Sequence, residues 1–198
     1  PARYLSSPST GKMGFAIADE ARKRGARVTV ISGPTEVRPP AGVGVVRVTT
    51  AREMHAAVLE HIGDATLFIG SAAVADLRPA TVAAGKAKKE DAELTLALAR
   101  NPDIIADVAA HRPRGCFVAG FAAETDDIEA AGREKLARKG LDCIVVNRIG
   151  GEIGGFASDD NEVVILWGDG GREAVARAPK STIARRVLDR IDALRRAR

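Results

Sequence analysis

Residues 116–146 read CFVAGFAAETDDIEAAGREKLARKGLDCIVV, and this stretch decides the fold. It opens on an apolar run, Cys116-Phe117-Val118-Ala119, and closes on another, Asp142 to Val146. Runs that do not alternate with polar residues fit strands covered on both faces, the habit of parallel sheets. Between them Ile128 to Lys139 reads as an amphipathic helix, and Gly140 follows it as a C-terminal glycine. Strand, helix, strand in that order is a parallel crossover unit.

The same rhythm continues in both directions. Arg27 to Ile31 and Thr66 to Gly70 read as strands, and Gly11 to Arg24 and Thr50 to His61 as helices. Ser9 or Thr10 is the expected N-cap of the first helix. Pro102 to His111 reads as a helix with Asn101 as N-cap and Pro102 at its first position. Thr182 to Arg196 places Ile183, Val187, Ile191 and Leu194 on one helical face. The tail departs from the pattern. Glu162 to Trp167, a turn at Gly168 to Gly171, and Glu173 to Ala178 read as a hairpin. A second hairpin is expected around Lys86 to Leu98, and Gly33 to Gly44 reads as a proline-containing surface connection. The expected fold is α/β: a doubly wound, Rossmann-like, mostly parallel sheet with helices on both faces, ending in a β-hairpin plus helix, in a single domain spanning 1–198.

Composition narrows the function classes. The 198 residues are 45% apolar, 28% charged and only 4% aromatic, so the core is built from Ala, Val, Ile and Leu. A net charge of +4 suits anionic small substrates. Arginine-rich stretches fall on expected helices without interleaved aromatics, which argues against nucleic-acid binding. Cys116 and Cys143 lie inside apolar runs and read as buried reduced thiols; no ligand spacing for a metal occurs. No run reaches the ~18 apolar residues of a membrane span, and the cytoplasm is the expected compartment. His55, His61 and His111 fall on or at the ends of helices and read as boundary residues.

Ligands of open parallel sheets sit beyond the carboxyl ends of the strands. Gly70-Ser71-Ala72-Ala73, Gly120 to Glu124 and Asn147-Arg148 occupy those ends. Ser6 to Lys12 sets hydroxyls and a glycine before a helix, which reads equally as an anion site or a plain cap. It is not a Walker A loop, since Ser6 and Met13 stand where glycine and Ser/Thr are needed. Asp76 follows the small residues ahead of Arg78-Pro79, and reads either as a ligand contact or as a solvated turn residue. In Gly85-Lys86-Ala87-Lys88-Lys89, Lys86 and Lys88 share one side of an extended strand, fitting either a solvated tip or a cationic flap over phosphates. Phe121 is either a core residue or a base-stacking platform. Gly150 to Phe156 is glycine-rich but precedes no helix, so a nicotinamide-binding fingerprint is rejected.

Taken in order, these segments resemble one family: phosphopantothenoylcysteine synthetase. Ser9-Thr10-Gly11-Lys12-Met13-Gly14 is similar to its N-terminal motif, and Ala72 to Asp76 with Arg78-Pro79 to its AAVADxRP element. Gly85 to Lys89 is similar to GKIKK, Asn101 to Ile104 to NPDI, Gly120 to Thr125 to GFAAET, and Glu134-Lys135-Leu136 with Lys139 to EKLxxK. The resemblance implies a ligase of coenzyme A biosynthesis that activates 4'-phosphopantothenate with CTP as an acyl-cytidylate. Amide formation with L-cysteine then releases CMP, with Mg²⁺ present. It implies Lys86 and Ser7 as catalytic residues. It places Gly70, Ala72, Asp76, Lys86, Pro102, Asp103, Ile104, Ile105, Phe121, Lys135 and Lys139 at the nucleotide. It places Arg3, Ser7, Ser9, Thr10, Gly11 and Ala72 at phosphopantothenate or its acyl intermediate. A homodimer is implied, with the hairpin near Glu162 to Ala178 as interface, together with a decarboxylase domain or partner.

The sequence departs from the family twice. Ser7 stands where the family has an Asn tied to the acyl intermediate; serine still donates and accepts. The family also has a further strand and glycine-rich turn upstream of the position of Pro1, so a shortened chain is expected. These departures motivate an alternative, a nucleotide-binding regulatory or catalytically impaired homologue.

Overall fold

The structure is a computed structural model that describes residues 6–7, 9–35, 37–82, 95–125, 127–148 and 158–198. In chain order the elements are α1 (Lys12–Lys23), β1 (Thr29–Ser32), β2 (Gly44–Arg47), α2 (Ala51–His61), β3 (Leu67–Gly70), β4 (Leu77–Pro79), β5 (Leu98–Arg100) and α3 (Ile104–His111). Then follow β6 (Phe117–Glu124), α4 (Ile128–Arg138), β7 (Cys143–Arg148), β8 (Asp160–Trp167), β9 (Arg172–Pro179) and α5 (Lys180–Arg196). The main sheet runs β3-β6-β7-β8-β9; β1-β2 and β4-β5 are two-stranded pairs. β3, β6 and β7 are parallel, and so are β1 and β2, whereas β8 and β9 join antiparallel. This is the mostly parallel α/β architecture with a terminal hairpin and helix that the sequence implied.

The side-chain period of two sorts the sheet into two faces. Leu67 and Ile69, Phe117 and Ala119, Cys143 and Val145, and Val163 and Ile165 face Ile17 of α1 and Ile183, Val187 and Ile191 of α5. The alternate residues Ile144, Val146, Val164 and Leu166 meet Ile128 and Leu136 of α4. Phe68 and Val118 meet Val58 of α2 and Ile104 and Val108 of α3. Each fully buried Val, Ile or Leu contributes about 1.5–3 kcal/mol. Helices therefore cover both faces, and the carboxyl ends of β3, β6 and β7 are left open at one edge of the layers.

Details depart from the sequence reading. β2 was not anticipated because Gly44–Arg47 is short and only half buried, adjoining the proline-containing connection. α1 is capped by Gly11 at φ 75°, not by Ser9 or Thr10. α3 begins later than expected, because Asp103 rather than Asn101 is its N-cap and accepts from the Ala106 N–H. The second hairpin is seen only at its base, where β4 pairs antiparallel with β5; residues 83–94 lie outside the described residues. The turn of the first hairpin forms at Gly168 to Gly171, with Asp169 and Gly170 both at positive φ. The two cysteines are buried and free, and burial pushes the Cys143 thiol up to about 12. Among the described residues no helix is long and apolar enough to cross a membrane.

Candidate functional site

Gly70 and Gly120 are register partners on β3 and β6. A Cβ at either would stand 2.8 or 3.0 Å from Ile105 Cδ1, so glycine at both positions lets Ile105 of α3 pack against the strands without shifting. The segment after β3 is tied to the segment before α3. The Asn101 amide donates to Ala75 O (2.8 Å), and Asn101 N–H donates to Asp76 O (2.8 Å). Arg78 Nη1 donates to Asn101 Oδ1 (3.3 Å) and to Arg100 O. Asp76 is thereby held beside Asp103. On the facing side, Lys139 Nζ lies 2.9 Å from Asp103 Oδ2, and Lys135 Nζ pairs with Glu124 of β6.

These side chains enclose a pocket of about 330 Å³ lined by Asp76, Asp103, Ile105, Phe121, Lys135 and Lys139, among others. That volume lies at the small end of the roughly 300–1,000 Å³ range for ligand pockets. Its floor is apolar, from Ile105 and the half-buried Phe121, and its rim carries two lysines, each balanced by one carboxylate. An aromatic heterocycle on the floor and phosphates at the rim match this arrangement.

The second corner lies at the start of α1. Gly11 N–H and Lys12 N–H reach Ser9 Oγ and Thr10 Oγ1 only at 3.4 Å each, longer than a good hydrogen bond. Lys12 Nζ pairs with Asp159 at 2.6 Å, and Lys12 holds the Asp159 carboxyl below its usual value. Asn161 is 7% exposed, and among the described residues its amide donates to Met13 Sδ alone, at 3.8 Å. Lys180, the first residue of α5, is 8% exposed and donates to Ser158 O. Burial, then the neighbouring Lys12, hold the Lys180 ammonium below its usual value. Asn147 Oδ1, at the end of β7, is buried with no partner among the described residues.

A continuous cleft joins the two corners and also passes between β1 and β3, which do not pair with each other. Ser7, Ser9, Thr10, Gly11, Gly70, Ala72, Asp76, Pro102, Asp103, Ile104, Ile105, Phe121, Lys135 and Lys139 all line it. Ile104 contributes little surface to the lining, being mostly buried against Val58 and Val108. Arg3 and Lys86 lie outside the described residues. Lys180 and Asn161 were not anticipated here, whereas Asn147 stands at a strand end where the sequence placed the ligand. The one local signal was a lysine at a helix start, opposed to the helix dipole. The histidines stand apart from the chemistry: His55 Nε2 pairs with Asp107 at 2.8 Å, and His61 and His111 bond carbonyls four residues back. Among the described residues no three His, Cys, Asp or Glu converge on a metal position.

The family described as DNA/pantothenate metabolism flavoprotein C-terminal domain matches residues 1–194. The chain belongs to that family. It is 41% identical over 196 residues to the coenzyme A biosynthesis bifunctional protein CoaBC of Vibrio vulnificus, covering 98% of this chain and 49% of the relative. It is 45% identical over 194 residues to CoaBC of Escherichia coli, covering 96% of this chain and 48% of the relative. The chain thus spans about half the length of these relatives. The crystal structure of the C-terminal domain of a CoaBC superposes with a TM-score of 0.83 at 32% identity, covering all of this chain and 89% of the other. Membership in this family bears out the resemblance read from the motifs, and the superposition bears out the fold.

Proposed function

We propose that this chain is the phosphopantothenate–cysteine ligase domain of coenzyme A biosynthesis, with CTP as the activating nucleotide. One observation carries the reading: the NPDI, GFAAET and EKLxxK segments, far apart in sequence, close one nucleoside-sized pocket rimmed by Lys135 and Lys139. In the first step a carboxylate oxygen of 4'-phosphopantothenate attacks the α-phosphorus of CTP. The bond to the β-phosphate oxygen breaks, and pyrophosphate leaves with its electron pair. In the second step the cysteine amine attacks the acyl carbonyl, CMP leaves, and the amine proton passes to solvent.

The residues of the cleft bind and orient these groups. Phe121 and Ile105 offer the base an apolar face, and Lys135 and Lys139 exchange their carboxylate partners for phosphate oxygens. The small residues Gly70 and Ala72 allow the acyl group to lie against the backbone between the two corners. Ser7 stands at the α1 side to hold the acyl-cytidylate, and Lys86, by resemblance, supplies charge to the departing pyrophosphate. The described carboxylates form no cage for magnesium. When bound, Mg²⁺ would be held by the nucleotide phosphates, the usual mode for such sites, and would supply neutralisation of their charge. β9, an edge strand of the main sheet, is the proposed homodimer contact. A decarboxylase acting on the cysteine amide is the proposed partner activity, and the cytoplasm the proposed location.

The test is incubation with phosphopantothenate, L-cysteine, Mg²⁺ and either CTP or ATP. The expected result is amide, CMP and pyrophosphate in equal amounts, with CTP preferred. Folded protein that releases no pyrophosphate contradicts the reading. Tight CTP binding without turnover favours the impaired homologue, for which the Ser7 position is the reason; Ser7→Asn then restores amide formation.

A further inference from the structure

We propose that Asn101, oriented by Arg78, is a positioning residue of the pocket at the start of α3: it meets no substrate itself and fixes Asp76 and Asp103 on the rim where the nucleotide binds. The inference rests on the ligase reading and deepens it, naming residues that set the shape of the site rather than contact its ligand.

Residues 71–76 leave β3 as irregular chain and carry Asp76 to the pocket. Asp103 lines the same pocket, and two carboxylates on one rim repel each other. The segment therefore needs a hold on its backbone, and Asn101 supplies it. Its N–H donates to Asp76 O and its side-chain amide donates to Ala75 O, both at 2.8 Å. Its Oδ1 accepts from Arg78 Nη1 at 3.3 Å, so both ends of the amide are engaged by protein groups. Arg78 also donates to Arg100 O, and it stands opposite Ala99 in the β4–β5 register. One guanidinium thus grips Asn101 and the residue before it. A proline follows each member of the pair, Pro79 after Arg78 and Pro102 after Asn101, which biases both towards extended backbone. Asp103 caps α3, so Asn101 is not spent on the helix.

The side-chain chemistry suits this task and few residues share it. A short amide donates to a carbonyl with one arm and accepts from a guanidinium with the other. Aspartate would set a carboxylate oxygen against the Ala75 carbonyl, and alanine would leave both partners unmet. The consequence for the site is geometric. Asp76 and Asp103 stand on two chain segments, and the Asn101 bonds are what bring those segments together. A shift of about 1 Å in a binding group can cost roughly 100-fold in rate.

The experiment measures kcat and KM for CTP and for phosphopantothenate in the wild type, Asn101→Ala, Arg78→Met, Arg78→Lys and the double variant Arg78→Met/Asn101→Ala. Asn101→Ala is expected to lower kcat/KM for CTP roughly 10- to 100-fold. KM for phosphopantothenate, bound towards α1, stays within about twofold, below the effect of a single lost hydrogen bond. Arg78→Met falls in the same direction. Arg78→Lys, which keeps one donor, recovers part of the loss. The double variant is no worse than Asn101→Ala alone, because Arg78 acts through Asn101. An unchanged kcat/KM for CTP in Asn101→Ala overturns the proposal. Equal losses for both substrates also overturn it, since they mark a structural role, and so do strictly additive losses in the pair. If the wild type makes no amide, the ligase reading fails. Hydrogen exchange at the Asn101 N–H then still decides the clamp: protection that Arg78→Met removes sustains it, and equal exchange in the two proteins overturns it.

Discussion

Replacing Gly132 by alanine sets two known effects against each other. Gly132 sits in the middle of α4, where alanine is favoured by roughly 0.8–1.0 kcal/mol on helix propensity. Its position against the sheet reverses the sign. A Cβ there would lie 2.5 Å from Val146 Cγ2 and 2.8 Å from Leu166 Cδ1. Both neighbours are at 0% exposure, and Val146 is β-branched and fixed in a strand, so neither has space to retreat. Overpacking of this kind costs about 1–3 kcal/mol. The balance is a net loss of about 1 kcal/mol, and for a chain of this size that lowers Tm by about 2–4 °C. Differential scanning calorimetry measures it. The companion variant Val146→Ala opens space for the new methyl, so the double variant is expected to be more stable than the two single losses predict. α4 also carries Lys135, so the displaced helix is expected to raise KM for the nucleotide. A higher Tm for Gly132→Ala, or strictly additive losses in the cycle, refutes the reasoning.

Two further outcomes follow from the same structure. Asp19, Glu53, Glu129 and Asp159 are all held below their ordinary values, respectively by Lys23, the Thr49 N–H, Arg172 and Lys12. A carboxylate lowered by folding stabilises above its unfolded value and loses that contribution as pH falls through the folded one. Tm is therefore expected to drop progressively below about pH 4, and a flat profile down to about pH 2.5 would contradict the assignment. Cys143 and Cys116 are both raised by burial, so iodoacetamide at pH 8 is expected to label neither in the folded protein and both after denaturation. Rapid labelling of the native chain sinks that expectation.

Much of this was legible along the chain, for reasons that differ by element. Residues 116–146 announce a buried parallel pair because both strands are apolar on both faces, and the structure pairs Ala119 with Cys143 in that sense. β2 was missed although Val43, Val45, Val46 and Val48 are β-branched, because the prolines and glycines of residues 33–44 made the segment read as a connection. The cap of α3 moved from Asn101 to Asp103 because Asn101 has a tertiary task, bonding Ala75 across the cleft. The corner proposed for the nucleotide was read through motif resemblance, whereas its pairs Lys135–Glu124 and Lys139–Asp103 are long-range facts. Lys180 and Asn161 escaped because their meaning lies in burial, and burial of a polar side chain is not written in local spacing. Even Lys12, inside the first motif, pairs with Asp159, far along the chain.

The most direct test of the central claim follows an oxygen atom. Phosphopantothenate labelled with ¹⁸O in its carboxylate is turned over with CTP and cysteine, and the CMP is analysed by mass spectrometry. Activation by nucleotidyl transfer predicts one ¹⁸O in the phosphate of CMP and the other retained in the amide. Label in inorganic phosphate, or unlabelled CMP accompanying amide formation, contradicts it.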